Sequence, residues 1–118
     1  MSQTPTLYGL PHCGTCRKAL AWLEDRGIRC TFVDYRANPV SAAKLRAWAR
    51  QIPWEKLVNR SGPTWRNLPE ARKAPADDAA WVKLIGEFPV LLRRPVVEIG
   101  EAVSTGFSDK RFAALFGR

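Results

Sequence analysis

The chain of 118 residues holds one histidine, one methionine and three cysteines, and only 11 acidic residues stand against 19 lysines and arginines. Each scarcity excludes something. The lone histidine, His12, has no identifiable orienting partner, so acyl-transfer machinery of the cysteine–histidine kind is not expected. Three cysteines do not make a disulfide scaffold; an odd number with one close pair reads as reactive thiols in a reducing compartment. A structural zinc site needs four ligands, usually in two pairs. Beyond Cys13 and Cys16 only His12, Cys30 and carboxylates are at hand, so no metal is expected. No apolar run approaches the roughly 20 residues of a membrane span. Met1 to Thr6 show neither the basic start nor the apolar core of a signal peptide, which makes the cytoplasm the expected setting. No internal repeat, low-complexity tract or linker is present.

What is present is a single packed domain, 1–118, with 46% apolar residues and a net charge of +8. That charge attracts anions: nucleic acid, an acidic protein surface, small oxyanions or acidic thiols. The basic residues are spread out and form no block of five or more, so a nucleic-acid tail is not expected. Trp48, Trp54, Trp65 and Trp81 are read as packing residues rather than a platform for bases, and direct nucleic-acid binding is not expected. Trp22 lies off the main stripe of its helix and is expected to be half-exposed or packed on the middle of the chain. Cys30 sits in an apolar strand pattern and reads as a small buried hydrophobe.

The most informative motif is Cys13-Gly14-Thr15-Cys16. It follows a short apolar stretch and opens an amphipathic helix pattern. A helix N-terminus carries partial positive charge and free N–H groups, and both favour a thiolate. Two cysteines at this spacing can also close a disulfide. Cys13, nearer the loop, is the expected nucleophile. Cys16, one turn further and aligned with the apolar stripe, is either the resolving thiol or a core position. His12 either lends a cation to the Cys13 thiolate or is a solvated loop residue. Arg17 and Lys18 stand in the first turn, where cations oppose the dipole; they serve an anionic ligand or are simply exposed.

The element order follows from periodicity. Pro5 to Tyr8 is a first strand. A helix runs from about Gly14 to Arg26, with Cys16, Ala19, Leu20 and Leu23 on one face and Gly27 as its stop. Ile28 to Tyr35 is a second strand, parallel to the first across the helix. A helical stretch of about 41–88 follows. It starts at Pro39 and Ser41, breaks at Pro53 and Gly62-Pro63, and closes with a helix from about Pro75 to Phe88. Val96 to Ile99 and Ala102 to Thr105 form an antiparallel pair about Gly100-Glu101. Ser108 caps a last helix that turns Phe112, Leu115 and Phe116 inward. The class is α/β: β-α-β, a helical insertion, then β-β-α, which is the thioredoxin topology with helices added in its middle.

The residues resemble one family in particular. The run Leu7-Tyr8-Gly9-Leu10-Pro11-His12-Cys13-Gly14-Thr15-Cys16-Arg17-Lys18-Ala19 is similar to the ArsC-like proteins, which comprise glutaredoxin-coupled arsenate reductases, Spx regulators and YffB-type proteins. So are Asn59 to Arg66 and Pro89 to Val97. Asp34-Tyr35-Arg36, Thr64 to Pro69 and Thr105 to Phe112 look most like the YffB branch. The resemblance implies a catalytic thiol at Cys13. It implies an anion site made by the loop N–H groups of Gly14 and Thr15 and by Arg94, with Arg60 in support. It also implies a cis proline at Pro95 facing the active cysteine.

The chain departs from parts of that family. Arsenate reductases of this class carry a third arginine where this chain reads Val103-Ser104-Thr105-Gly106-Phe107, usually a serine at Cys16 and a histidine at Gly9. The Spx surface that grips RNA polymerase includes a glycine in a turn that here reads Gln51-Ile52-Pro53-Trp54. The resulting expectation is a cytoplasmic thiol oxidoreductase acting on a small thiol or oxyanion, with glutathione as co-substrate and no bound cofactor. A redox-sensing regulator that binds RNA polymerase, and an arsenate reductase coupled to glutaredoxin, are the alternatives.

Overall fold

The computed structural model describes residues 4–118. Met1, Ser2 and Gln3, half of the segment read above for a signal peptide, lie outside the described residues. The elements run β1 (Thr6–Gly9), α1 (Gly14–Asp25), β2 (Thr31–Asp34), α2 (Ala42–Ala49), α3 (Trp54–Leu57), α4 (Pro63–Arg66), α5 (Asp78–Glu87), β3 (Val96–Ile99), β4 (Ala102–Thr105) and α6 (Asp109–Phe116). Two compact units result: residues up to Asp34 together with Arg94–Arg118, and Tyr35–Arg93. The helical segment expected over 41–88 therefore packs as a slightly longer unit.

The first unit is built on a four-stranded sheet of order β2-β1-β3-β4. β1 runs parallel to β2 and antiparallel to β3, and β3 runs antiparallel to β4. Helix α1 provides the crossover that a parallel pair requires. It buries Cys16, Ala19, Trp22 and Leu23. Gly27, at a φ of 67°, ends it in the left-handed region, and the Ile28 N–H closes back on the Leu23 carbonyl at 2.9 Å. That use of Ile28 shortens β2, which was expected from Ile28 and starts only at Thr31.

The core of this unit gathers Leu7, Ala19, Trp22, Leu23, Val97 and Phe112. Trp22 corrects the sequence reading. It is buried and meets the Phe112 ring edge-on at 5.5 Å, with Phe116 at 5.9 Å. The Arg26 guanidinium lies 3.9 Å above the indole. Aromatic pairs of this kind each contribute about 0.5–1.5 kcal/mol beyond area burial, which explains why a residue beside the stripe is drawn in. Cys30 is half-buried and precedes β2, where its sulfur lies 3.5 Å from the Thr31 carbonyl.

The second unit is helical. Ser41 caps α2 through the Lys44 N–H at 3.1 Å. The helix stops at Ala49, before Pro53, and its last turn is finished by the Ile52 N–H on the Trp48 carbonyl. Helix α5 starts later than Pro75, because the Asp77 carboxylate accepts from the Ala80 N–H at 2.9 Å and fixes the N-cap there. Phe88, expected as the last residue of this helix, is its C-terminal boundary and stays exposed. The Trp81 ring stacks on both Trp54 and Trp65, with centroids 6.0 Å apart in each case. Trp48, Trp54, Trp65 and Trp81 are all buried, as packing residues should be. Leu57 to Asn59 and Leu91 to Arg93 are stitched by two backbone bonds of 2.7 Å. Among the described residues, no helix is long and apolar enough to cross a membrane.

Candidate active site

The end of β1 and the start of β3 are neighbours, since Tyr8 pairs with Val96. The loop after β1 therefore lies beside the segment leading into β3. The first carries Cys13 and the second carries Arg94-Pro95. The Arg94–Pro95 bond is cis. The Pro95 carbonyl accepts from the Gly106 N–H at 2.9 Å and from the Thr105 hydroxyl at 3.4 Å, which ties this corner to the end of β4. Pro95 itself is buried and Arg94 half-buried.

Cys13 is the N-cap residue of α1, with extended backbone angles and no side-chain cap bond. Its N–H donates to the Leu10 carbonyl at 3.2 Å, and its carbonyl accepts from the Arg17 N–H at 3.0 Å. The half-buried sulfur thus hangs over the open N-terminus of the helix. Burial opposes its ionisation, but the polar groups nearby outweigh that by favouring the thiolate: the Cys16 N–H and thiol, the Thr15 N–H and the Arg94 guanidinium. Cys13 is held below the usual thiol range as a result. The Thr15 N–H expected for an anion thus also favours the thiolate of Cys13.

Cys16 behaves oppositely. It is 1% exposed, and burial pushes its thiol up to about 11. A hydrogen bond from the Leu10 N–H and the charge of Arg94 work against that shift, while the bond to Cys13 and the Cys13 charge reinforce it. The two thiols are shifted in opposite directions, Cys13 toward the thiolate and Cys16 toward the protonated form.

The remaining expected residues fall as follows. His12, Gly14 and Thr15 are exposed in the loop and first turn of the helix. Gly14 has open space on its Cβ side. Arg17 is exposed, and its Nε donates to the Pro11 carbonyl at 3.3 Å, which braces the loop; Lys18 is exposed as well. Arg60 is exposed and belongs to the helical unit, between α3 and α4. The first unit alone brings together Cys13, Thr15, Cys16 and Arg94. Among the described residues, no group of three or more His, Cys, Asp or Glu is placed to hold a metal ion. Sequence reasoning overlooked Leu10, whose backbone serves both cysteines, because a backbone group leaves no trace in residue type.

Residues 8–115 match the ArsC family model. The chain belongs to the ArsC family. A protein of Haemophilus influenzae without an assigned function is 35% identical over 94% of this chain and 97% of its own. An arsenate reductase of Rhizobium meliloti is 32% identical over 80% of this chain and 68% of its own. The global transcriptional regulator Spx of Bacillus subtilis is 28% identical over 96% and 87%. Among solved structures, the YffB protein superposes with a TM-score of 0.87 at 37% identity, over 94% of this chain and 97% of its own. The mixed α/β architecture with a four-stranded sheet is thus the ArsC variant of the thioredoxin-like fold.

Proposed function

We propose that this ArsC-family protein is a thiol–disulfide oxidoreductase with Cys13 as nucleophile, Cys16 as resolving thiol and glutathione as co-substrate. One observation carries the reading: Cys13 is lowered by helix N–H groups and Arg94 while its neighbour Cys16 stays protonated. A thiolate is the attacking form, so this arrangement supports Cys13 as the cysteine that strikes first. The Cys13 thiolate attacks one sulfur of a disulfide, forms a mixed disulfide and expels the other half as thiolate. Cys16 then gives up its proton and attacks the Cys13 sulfur, closing Cys13–Cys16 and releasing the second half as a thiol. Two glutathione thiols reduce the pair again and leave as glutathione disulfide. Electrons and protons balance with no metal or organic cofactor. Arg94 offers a planar guanidinium to a carboxylate of glutathione or to an oxyanion. Thiols of this kind work reduced, which suits the cytoplasm.

Mass spectrometry after incubation with glutathione disulfide tests the reading. A Cys13–Cys16 disulfide is expected in the wild type, a glutathione adduct on Cys13 in Cys16→Ser, and neither in Cys13→Ser. A wild type that forms neither product refutes it.

The match to Spx along 96% of the chain supports a second reading, a redox-sensing regulator with the same pair as its switch and RNA polymerase as its partner. Stoichiometric capture of RNA polymerase by one redox state only, without turnover of glutathione, would select it. An arsenate reductase fed by glutaredoxin is the third reading, and the absence of arginine from residues 103–107 counts against it.

A further inference from the structure

Gly9 closes β1, is buried and pairs with Asp34 of β2. A Cβ built there would lie 2.5 Å from the Cys16 sulfur, 3.4 Å from the Cys16 Cβ and 3.5 Å from Leu7 Cδ2. Only the first distance is impossible; the other two are ordinary contacts. The missing methyl is thus replaced by a sulfur atom. That sulfur is the one that donates to Cys13 and is itself steadied by the Leu10 N–H. Gly9 has no left-handed backbone angle, so its conformation does not demand glycine.

We propose that Gly9 is a positioning residue for the dithiol: its bare Cα creates the slot that holds the Cys16 sulfur in line with Cys13. A side chain at position 9 turns the Cys16 thiol out of that slot, since cysteine has one torsion by which to escape. Cys13 then loses one of the donors that lower it, although no residue touching Cys13 has changed. The resolving thiol also leaves its place beside the sulfur it must attack. This second consequence rests on the thiol–disulfide reading; the first does not.

The test is a double-mutant cycle on Gly9→Ala and Cys16→Ala, read by the pH profile of Cys13 alkylation with iodoacetamide, site-resolved by peptide mass spectrometry. Gly9→Ala is expected to slow Cys13 alkylation about tenfold near neutral pH, the effect of losing one hydrogen bond to a thiolate. Cys16→Ala should do the same, and the double variant should show no further loss, because no sulfur remains to displace. Wild-type kinetics in Gly9→Ala, or a further tenfold loss on adding Gly9→Ala to Cys16→Ala, would overturn the proposal. If Gly9→Ala alone does not fold while the double variant does, the clash is located at the Cys16 sulfur and the proposal stands; if neither folds while Cys16→Ala does, glycine is needed for another reason and it falls. Alkylation requires no glutathione, so this outcome is independent of the adduct experiment above.

Discussion

The Cys16 thiol favours the thiolate of Cys13, and the two cysteines of one motif are shifted in opposite directions. In Cys16→Ser a hydroxyl replaces the donor and Cys13 should keep its low pKa. In Cys16→Val the donor is lost and the Cys13 pKa should rise. Absorbance of the thiolate against pH, with Cys30 replaced by serine, separates the two variants. Equal titration curves would mean that the hydrogen bond contributes nothing.

Arg94 lowers both cysteines, Cys13 by a hydrogen bond and Cys16 by its charge. Arg94→Gln should therefore raise both pKa values and slow Cys13 alkylation near neutral pH by about tenfold. Arg94→Lys should fall between, as it keeps the charge and loses the planar fork. The same variants in 0.5 M salt should converge only in part, because a half-buried charge is screened less than an exposed one.

The sign of the alkaline stability follows from Cys16. Its thiol titrates near 9.0 when unfolded and at about 11 when folded, so folding favours the protonated form. That contribution is intact below pH 9 and is lost as pH rises from 9 toward 11. Cys13 has the opposite sign: its contribution is present above the unfolded value and is lost as pH falls through its lowered one. Chemical denaturation of wild type and Cys16→Ser between pH 8 and 11 should show the wild type losing stability relative to the serine variant. A constant difference would contradict the shift.

In the helical unit, the Trp54 indole N–H donates to the Asp78 carboxylate at 2.8 Å and Trp54 stacks on Trp81. Trp54→Phe keeps most of the ring and loses the bond, which should destabilise by about 1–2 kcal/mol. Trp81→Ala removes the middle of the stack and should destabilise by about 3–5 kcal/mol. Asp77→Ala removes the cap of α5 at about 1 kcal/mol. Urea denaturation of the three variants checks the order.

The parts of the fold visible in the sequence are those in which one residue type has one local job. Gly27 and Gly100 take positive φ where turns were expected, and Ser41 and Ser108 cap the helices they precede. The stripe of Cys16, Ala19 and Leu23 is buried. Competition among neighbours was not visible. Pro75 and Asp77 could each start α5, and the carboxylate won through its bond to Ala80. Trp22 was misplaced because its burial depends on Phe112, 90 residues away in sequence. The candidate site divides the same way. Cys13 and its helix start could be read directly, whereas the slot at Gly9 exists only once β1 and α1 are packed.

The tryptophans are distributed unevenly between the two units. Trp48, Trp54, Trp65 and Trp81 lie in the helical unit and Trp22 alone in the unit that carries the cysteines. Near-ultraviolet dichroism and indole emission will therefore report mainly on the stacked rings. A single indole beneath the Arg26 guanidinium is the optical label for the dithiol unit. The difference spectrum between wild type and Trp22→Phe isolates that label, and gives the cysteine chemistry a colourless protein's equivalent of a chromophore.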